Sequence, residues 1–177
     1  ASYLGGDITA GMLCTSLAKE SDELCLFIDV GTNGEIILGN NDLMLGCACS
    51  AGPAFEGGGI ECGMRASAGA IEHVERDRQT KEPNYMTIGN MPPTGICGSG
   101  MISLISELFA SGLIDAAGKL SRGMSDRIHV QGRTAYYHIT TGEAQEIFVS
   151  ETDIDNIVRA KAAIFGACQT LLKSVDM

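Results

Sequence analysis

The sequence predicts a mixed α/β fold, a sheet with packed helices whose first three strands run antiparallel. Three observations carry this expectation. Apolar runs at 24–30, 35–38 and 43–50 are joined by two tight turns, Gly-Thr-Asn-Gly and Asn-Asn-Asp. Two later runs, at 101–109 and 154–172, keep helical spacing. Glycine-rich segments stand between the two patterns, and the wide stripe of the last helix needs a sheet to lie on.

The elements follow in order. Residues 5–18 open on a Gly-Gly turn and continue as a short helix, with Asp7 or Thr9 as cap and Met12, Leu13 and Leu17 on one face. The three-strand meander comes next. Within it Asn33-Gly34 is a strong hairpin signal, because a type I′ turn needs positive φ at both central residues. The loop "SAGPAFEGGGIECGMRASAG" then carries six glycines between positions 52 and 69. Strands at 69–75 and 85–89 flank the charged turn "ERDRQTKEPN". In "PPTGICGSGMISLISELFASGLID", Met101, Ile102, Leu104, Ile105, Leu108 and Phe109 lie at helical spacing and Gly112 ends the helix. Residues 127–149 alternate weakly, as a peripheral hairpin turning near Thr141-Gly142. The last segment is a long helix that opens on a capping box of Thr152 and Asp155. Its stripe runs through Ile154, Ile157, Val158, Lys161, Ile164, Phe165, Cys168, Leu171 and Leu172.

Composition narrows the function. The 177 residues are 45% hydrophobic, enough to bury a real core, and 22 acidic against 12 basic residues leave a formal charge of -10. The basic residues are scattered, which disfavours nucleic acid and anionic membrane as partners. No apolar stretch approaches a membrane span and no signal-peptide series opens the chain, so it reads as cytoplasmic. Seven cysteines, several inside apolar runs, with no C-x-x-C pair and no C-x4-C-x2-C series, fit buried thiols of a reducing compartment and encode neither a zinc knuckle nor a plant-type iron-sulfur site. Cys47 and Cys49 point to one face of their strand as small core residues. The chain opens without methionine and closes just beyond a periodic helix, so 1–177 is taken as a single lobe excerpted from a longer protein.

Two glycine turns are candidates for anion chemistry. In "FIDVGTNGEIILGN", a Gly-rich reversal presents backbone amides, Thr32 adds a hydroxyl, and Asp29 and Glu35 flank it where a phosphate-bound magnesium would need carboxylates. A purely structural hairpin is the alternative that the Asn-Gly signal by itself favours, and a solvated strand end is the alternative for the two carboxylates. In "GICGSG", glycines at a helix start let an anion approach free amides, against which stands close helix-on-sheet packing. The spacing is neither a dinucleotide nor a P-loop motif. Gly57-Gly58-Gly59 reads as flexibility beside a site or as a partner-facing loop. His73, His129 and His138 lack ligand or triad spacing, and Arg65 is the basic residue to place near a phosphate, with a surface salt bridge as its alternative.

Four blocks, "LFIDVGTNGEIILGN", "ACSAGPAFEGGGIECGMRASAGAIE", "PPTGICGSGMISLISELFASGLID" and "ETDIDNIVRAKAAIFGA", together resemble the C-terminal nucleotide-binding region of the reductive activators of corrinoid proteins. These are ASKHA-type ATPases, of the superfamily of acetate and sugar kinases, heat-shock chaperones and actin, and the resemblance covers nearly the whole chain. It implies an actin-like, ribonuclease-H-type lobe. It also implies an ATP-driven, uphill electron transfer from a 2Fe-2S ferredoxin domain of the full-length protein to a Co(II) corrinoid, returning it to Co(I) for methyl transfer.

On this resemblance Gly31, Thr32, Asn33 and Gly34 contact phosphates, Asp29 and Glu35 are catalytic, and Asp29 holds Mg2+ through water. Gly95, Gly98, Ser99 and Gly100 form a second nucleotide-binding element. The ferredoxin cysteines, the partner hairpin and a later adenosine segment are not in these residues. Alone, the chain is therefore expected to bind nucleotide weakly and to transfer no electrons. The glycine loop, with Ser50, Glu56, Gly57 and Gly58, is the expected contact for the corrinoid protein, and a homodimer is the default assembly. The rival expectations are a docking or dimerisation module without catalysis, and a small-molecule kinase of the same superfamily.

Overall fold

The computed structural model describes residues 4–15, 17, 22–142 and 145–175. Its residues fall into two compact units: those up to Gly52 with those from Arg159 onward, and Pro53–Val158.

The first unit holds α1 (Gly6–Met12), β1 (Cys25–Val30), β2 (Asn33–Gly39), β3 (Met44–Ser50) and the later turns of α3 (Glu151–Ser174). The three strands form an antiparallel sheet in the order β1-β2-β3, as expected. Strand alternation gives the sheet two faces, and the central strand β2 is covered on both. On one, Ile37 joins Ile8 and Leu17 in a core flanked by Leu4, Met12, Cys25 and Phe27. The opposite face places Ile36 and Leu38 in the interior, with Ile164 of α3 over Gly34. Asp7 does not cap α1. Gly5 is the N-cap, Asp7 lies in the first turn, and Leu13, expected on the buried face, is 71% exposed.

The hairpin between β1 and β2 departs from the Asn-Gly turn. Asn33 and Gly34 lie inside β2, opposite Ser50 and Cys49, and neither has positive φ. The chain reverses at Gly31 and Thr32, where the Gly31 N–H donates to the Asn33 carbonyl at 3.1 Å. Packing explains the glycine: a Cβ at position 34 would lie 2.7 Å from Cγ1 of Ile164 and 2.8 Å from Sγ of Cys49. Gly34 lets α3 approach the sheet and supplies no turn conformation.

The second unit opens with a 3-10 turn, Pro53–Glu56. Its first sheet has the order β5-β4-β6, with β4 (Ala70–Arg76) antiparallel to β5 (Pro83–Thr87) and parallel to β6 (Gly95–Ile96). Against β4 lies α2 (Gly98–Ala110), where Oγ of Ser103 accepts the Val74 N–H at 2.9 Å and Oε2 of Glu107 accepts the Arg76 N–H at 3.2 Å. Its buried face is Gly100, Met101, Leu104 and Leu108. Ile102 and Phe109 are 53% and 59% exposed, so the stripe is narrower than its apolar spacing predicts. Gly112, at φ 72°, follows the helix end as expected.

The region read as one hairpin is a three-stranded antiparallel sheet of β7 (Ile128–Gln131), β8 (Thr134–His138) and β9 (Phe148–Ser150). It has two reversals, one at Gly132 (φ 62°) and one that includes Gly142 (φ 74°). From β9 the chain enters α3 directly, and this shifts the cap. Oγ of Ser150 accepts the Asp153 N–H at 3.1 Å, while Oδ2 of Asp153 accepts the Ser150 N–H at 2.9 Å. The reciprocal pair is a capping box two residues earlier than Thr152 and Asp155.

Candidate functional site

In the first unit, antiparallel register sets Asp29 of β1 directly opposite Glu35 of β2. Cross-strand residues share a face, and two like charges in direct opposition are unfavourable unless something compensates them. Asp7, in the first turn of α1, joins them: one carboxylate oxygen from each of Asp7, Asp29 and Glu35 lies within 4.8 Å of the other two. The sequence reading missed Asp7 as part of this group. Its only signal was an acidic residue next to a glycine pair, and no local spacing links it to a carboxylate 22 or 28 positions away.

Hydrogen bonds hold part of the group in place. Oε1 of Glu35 accepts the Gly5 N–H at 2.6 Å, and Oδ1 of Asp7 accepts the Ile8 N–H at 2.9 Å. Asp29 and Glu35 are half-buried while Asp7 is exposed, so the cluster opens to solvent on the helix side. An all-oxygen donor set of this kind suits a hard cation such as Mg2+ or Ca2+ and not a soft one. Mg2+ keeps several waters and takes one or two carboxylates directly, so three carboxylates leave room for a water-mediated ligand.

The hairpin tip beside these carboxylates is Gly31-Thr32-Asn33. Gly31 is half-buried, while Thr32 and Asn33 are exposed. The Thr32 carbonyl accepts the Gly52 N–H at 2.9 Å, tying the tip to the chain that leaves β3. Gly34 is buried. The residues named for phosphate contact thus divide into an exposed tip and one glycine committed to packing.

Gly95, Gly98, Ser99 and Gly100 lie in the second unit, at β6 and the start of α2. A Cβ at Gly95, Gly98 or Gly100 would run into the carbonyl oxygen of Cys62, Phe55 or Ile71 respectively. Close backbone packing therefore accounts for glycine at all three. Ser99 is exposed and its hydroxyl lies 3.3 Å from the Cys97 thiol.

Of the residues expected to meet a partner, Ser50 ends β3 and is exposed in the first unit. Glu56, Gly57 and Gly58 belong to the second unit, with Glu56 exposed at the end of the 3-10 turn. This glycine segment is more ordered than its composition suggests. Gly57 and Gly58 donate to the carbonyls of Ala54 and Pro53, at 3.1 and 2.9 Å.

The remaining expectations divide. Arg65 is exposed. His129 and His138, distant in sequence, meet across the β7–β8 pair with ring centroids 4.4 Å apart, and Phe148 lies 5.5 Å from His138. All seven cysteines are free thiols. Burial, then the neighbouring Cys49 and Cys168, pushes the Cys47 thiol up, and burial with Cys49 pushes Cys168 up. Both effects oppose thiolate formation and fit packing residues. Among the described residues, no helix is long and apolar enough to cross a membrane.

Comparison with known proteins adds to this geometry. The family described as the C-terminal domain of RACo, the ASKHA domain, matches residues 23–177. Corrinoid activation enzyme RamQ of Eubacterium limosum is 36% identical over 178 residues, covering 94% of this chain and 29% of RamQ. The Co(II) methylated amine-specific corrinoid protein reductase of Methanosarcina barkeri is 30% identical over 189 residues, covering 96% of this chain and 32% of the reductase. The chain thus spans 29% and 32% of the length of these relatives. A solved structure of a reductive activator for corrinoid, iron-sulfur protein superposes with a TM-score of 0.91 at 49% identity, covering 100% of this chain and 29% of that one.

Proposed function

The chain belongs to the family of the C-terminal ASKHA domain of RACo, and from that premise we propose that it forms part of the ATP-binding domain of an ATP-dependent reductive activator. In this reading the whole protein returns a Co(II) corrinoid protein to Co(I) for methyl transfer. The electron comes from a 2Fe-2S ferredoxin domain outside these residues, and ATP binding and hydrolysis supply the energy for the uphill step. The observation that carries the reading is the carboxylate cluster of Asp7, Asp29 and Glu35 beside the Gly31-Thr32-Asn33 tip.

Asp29 would hold Mg2+ through water on the side of the nucleotide phosphates. Glu35, fixed by the Gly5 N–H, adds negative charge that keeps the cation at this end of the hairpin. Asp7 completes the oxygen set from α1. Gly31, Thr32 and Asn33 present the phosphate-facing backbone and hydroxyl, while Gly34 serves the same hairpin by admitting α3. Mg2+, when bound, neutralises phosphate charge during transfer. Ser99 and the first-turn amides of α2, whose position the packed glycines set, are a further nucleotide-binding element that belongs to the second unit by itself. Glu56, Gly57 and Gly58, and separately Ser50, are the contact residues for the corrinoid protein.

ATP hydrolysis by the full-length protein, with and without a Co(II) corrinoid protein, tests the proposal. Wild type is expected to hydrolyse ATP faster with the partner, and Asp29→Ala to lose that stimulated rate. No hydrolysis in either protein points to a docking module instead. A phosphorylated small-molecule product points to a kinase.

A further inference from the structure

The glycine segment of the second unit is held by side chains from the start of α3. Asp153, 1% exposed, accepts the Glu61 N–H at Oδ1 over 3.1 Å, while its Oδ2 accepts the backbone N–H and hydroxyl of Ser150. One turn later, Nδ2 of Asn156 donates to the Gly59 carbonyl at 2.9 Å. Gly59 has φ 74°, a left-handed conformation that exposes its carbonyl to this donor. On the other flank, the Phe55 carbonyl packs so close to Gly98 in α2 that a Cβ there would collide with it. Met64 N–H donates to Ile96 O, and Ile96 N–H donates to Cys62 O, so the segment leaves alongside β6, bridged to it in parallel at Gly63 and Ile96. Ala54 and Ile60 are buried beneath it. Glu56, Gly57 and Gly58 are therefore presented between two anchored flanks.

The geometry points to Asn156 as a positioning residue for recognition of the corrinoid protein, acting through Gly59 to hold Glu56–Gly58 in one conformation; this rests on the reading that the segment is a partner contact. Asp153 has a second duty as the cap of α3, so its loss mixes helix stability with loop order. Asn156 has no part in the capping pair, and this makes it the residue to test. A segment rich in glycine loses much conformational entropy when it becomes ordered. If Asn156 bears that cost in the free protein, binding is spared it, as preorganisation requires.

The test uses the full-length protein and a Co(II) corrinoid protein. Asn156→Ala is expected to speed amide hydrogen exchange at Gly57–Glu61, to weaken partner affinity by about tenfold, and to raise the apparent KM for the partner while kcat at saturating partner is retained. A kcat loss with unchanged KM overturns the positioning role, as does unchanged exchange in the segment. Glu56→Lys, measured alongside, separates the two layers. If Glu56→Lys weakens binding and Asn156→Ala does not, the segment is a contact but Asn156 does not position it. If neither variant weakens binding, the partner-contact reading falls, and the inference with it.

Discussion

Gly34 shows how one residue type can be read two ways. Beside asparagine it signals a turn, yet it sits in a strand because Ile164 and Cys49 fill the space a side chain would need. Overpacking of this kind costs about 1–3 kcal/mol, so Gly34→Ala is expected to lower the urea midpoint accordingly. The double variant with Ile164→Ala should be less destabilised than the sum of the singles, because one of the two clash partners is gone. Additive effects would place the cost elsewhere in the strand. Asp7 poses the converse case, with no sequence signal and a defined place. Asp7→Asn is expected to weaken Mg2+ binding, followed by calorimetric titration, by a smaller factor than Asp29→Asn, because Asp7 is the exposed member of the three.

At the scale of elements, the cap of α3 forms two residues before the Thr152 and Asp155 pair that the sequence predicts. It uses Ser150, which is buried at the end of β9, and Thr152 is left exposed. Ser150→Ala is expected to cost about 1 kcal/mol in denaturant unfolding, whereas Thr152→Ala stays within about 0.5 kcal/mol of wild type. The β7–β9 sheet brings a pH response. Burial, followed by the neighbouring His129, holds His138 below its ordinary value, and the Glu146 carboxylate opposes this without overcoming it. Folded His138 thus takes up its proton less readily than the unfolded chain does. Its contribution is full above the ordinary histidine pKa of about 6.5 and is lost as pH falls through the folded value. Thermal unfolding between about pH 7 and pH 5 should show this loss, and His138→Gln should flatten that part of the profile.

At the scale of the molecule, a formal charge of -10 predicts self-repulsion that salt screens. Two cation effects can then be told apart. NaCl should raise the Tm by screening alone. Magnesium chloride at equal ionic strength should raise it further if the three carboxylates bind the ion, because a ligand specific to the folded state stabilises it by mass action. The extra rise should vanish in Asp29→Asn. An equal rise with both salts would reduce the cluster to ordinary surface charge.

The first sheet, the second helix and the long last helix were legible in the sequence, as were their family motifs. Apolar periodicity is local, and the meander, α2 and α3 each show their period within a single run. Position within those elements was less legible. The Asn-Gly pair and the Thr152 box each obey a local rule that a packed neighbour overrides, respectively Ile164 and β9, and the apolar spacing of α2 is wider than the face that it buries. The same division holds for the site. Sequence alone determined that Asp29 and Glu35 flank a glycine reversal and that the chain resembles a corrinoid-activator domain. Only the tertiary structure decided that Asp7 joins them, that three glycines of the second turn serve packing, and that Asn156 holds Gly59. The reason is range: propensity and periodicity act over a few residues, whereas these contacts close loops of 22 to 97 residues through packing and hydrogen bonds.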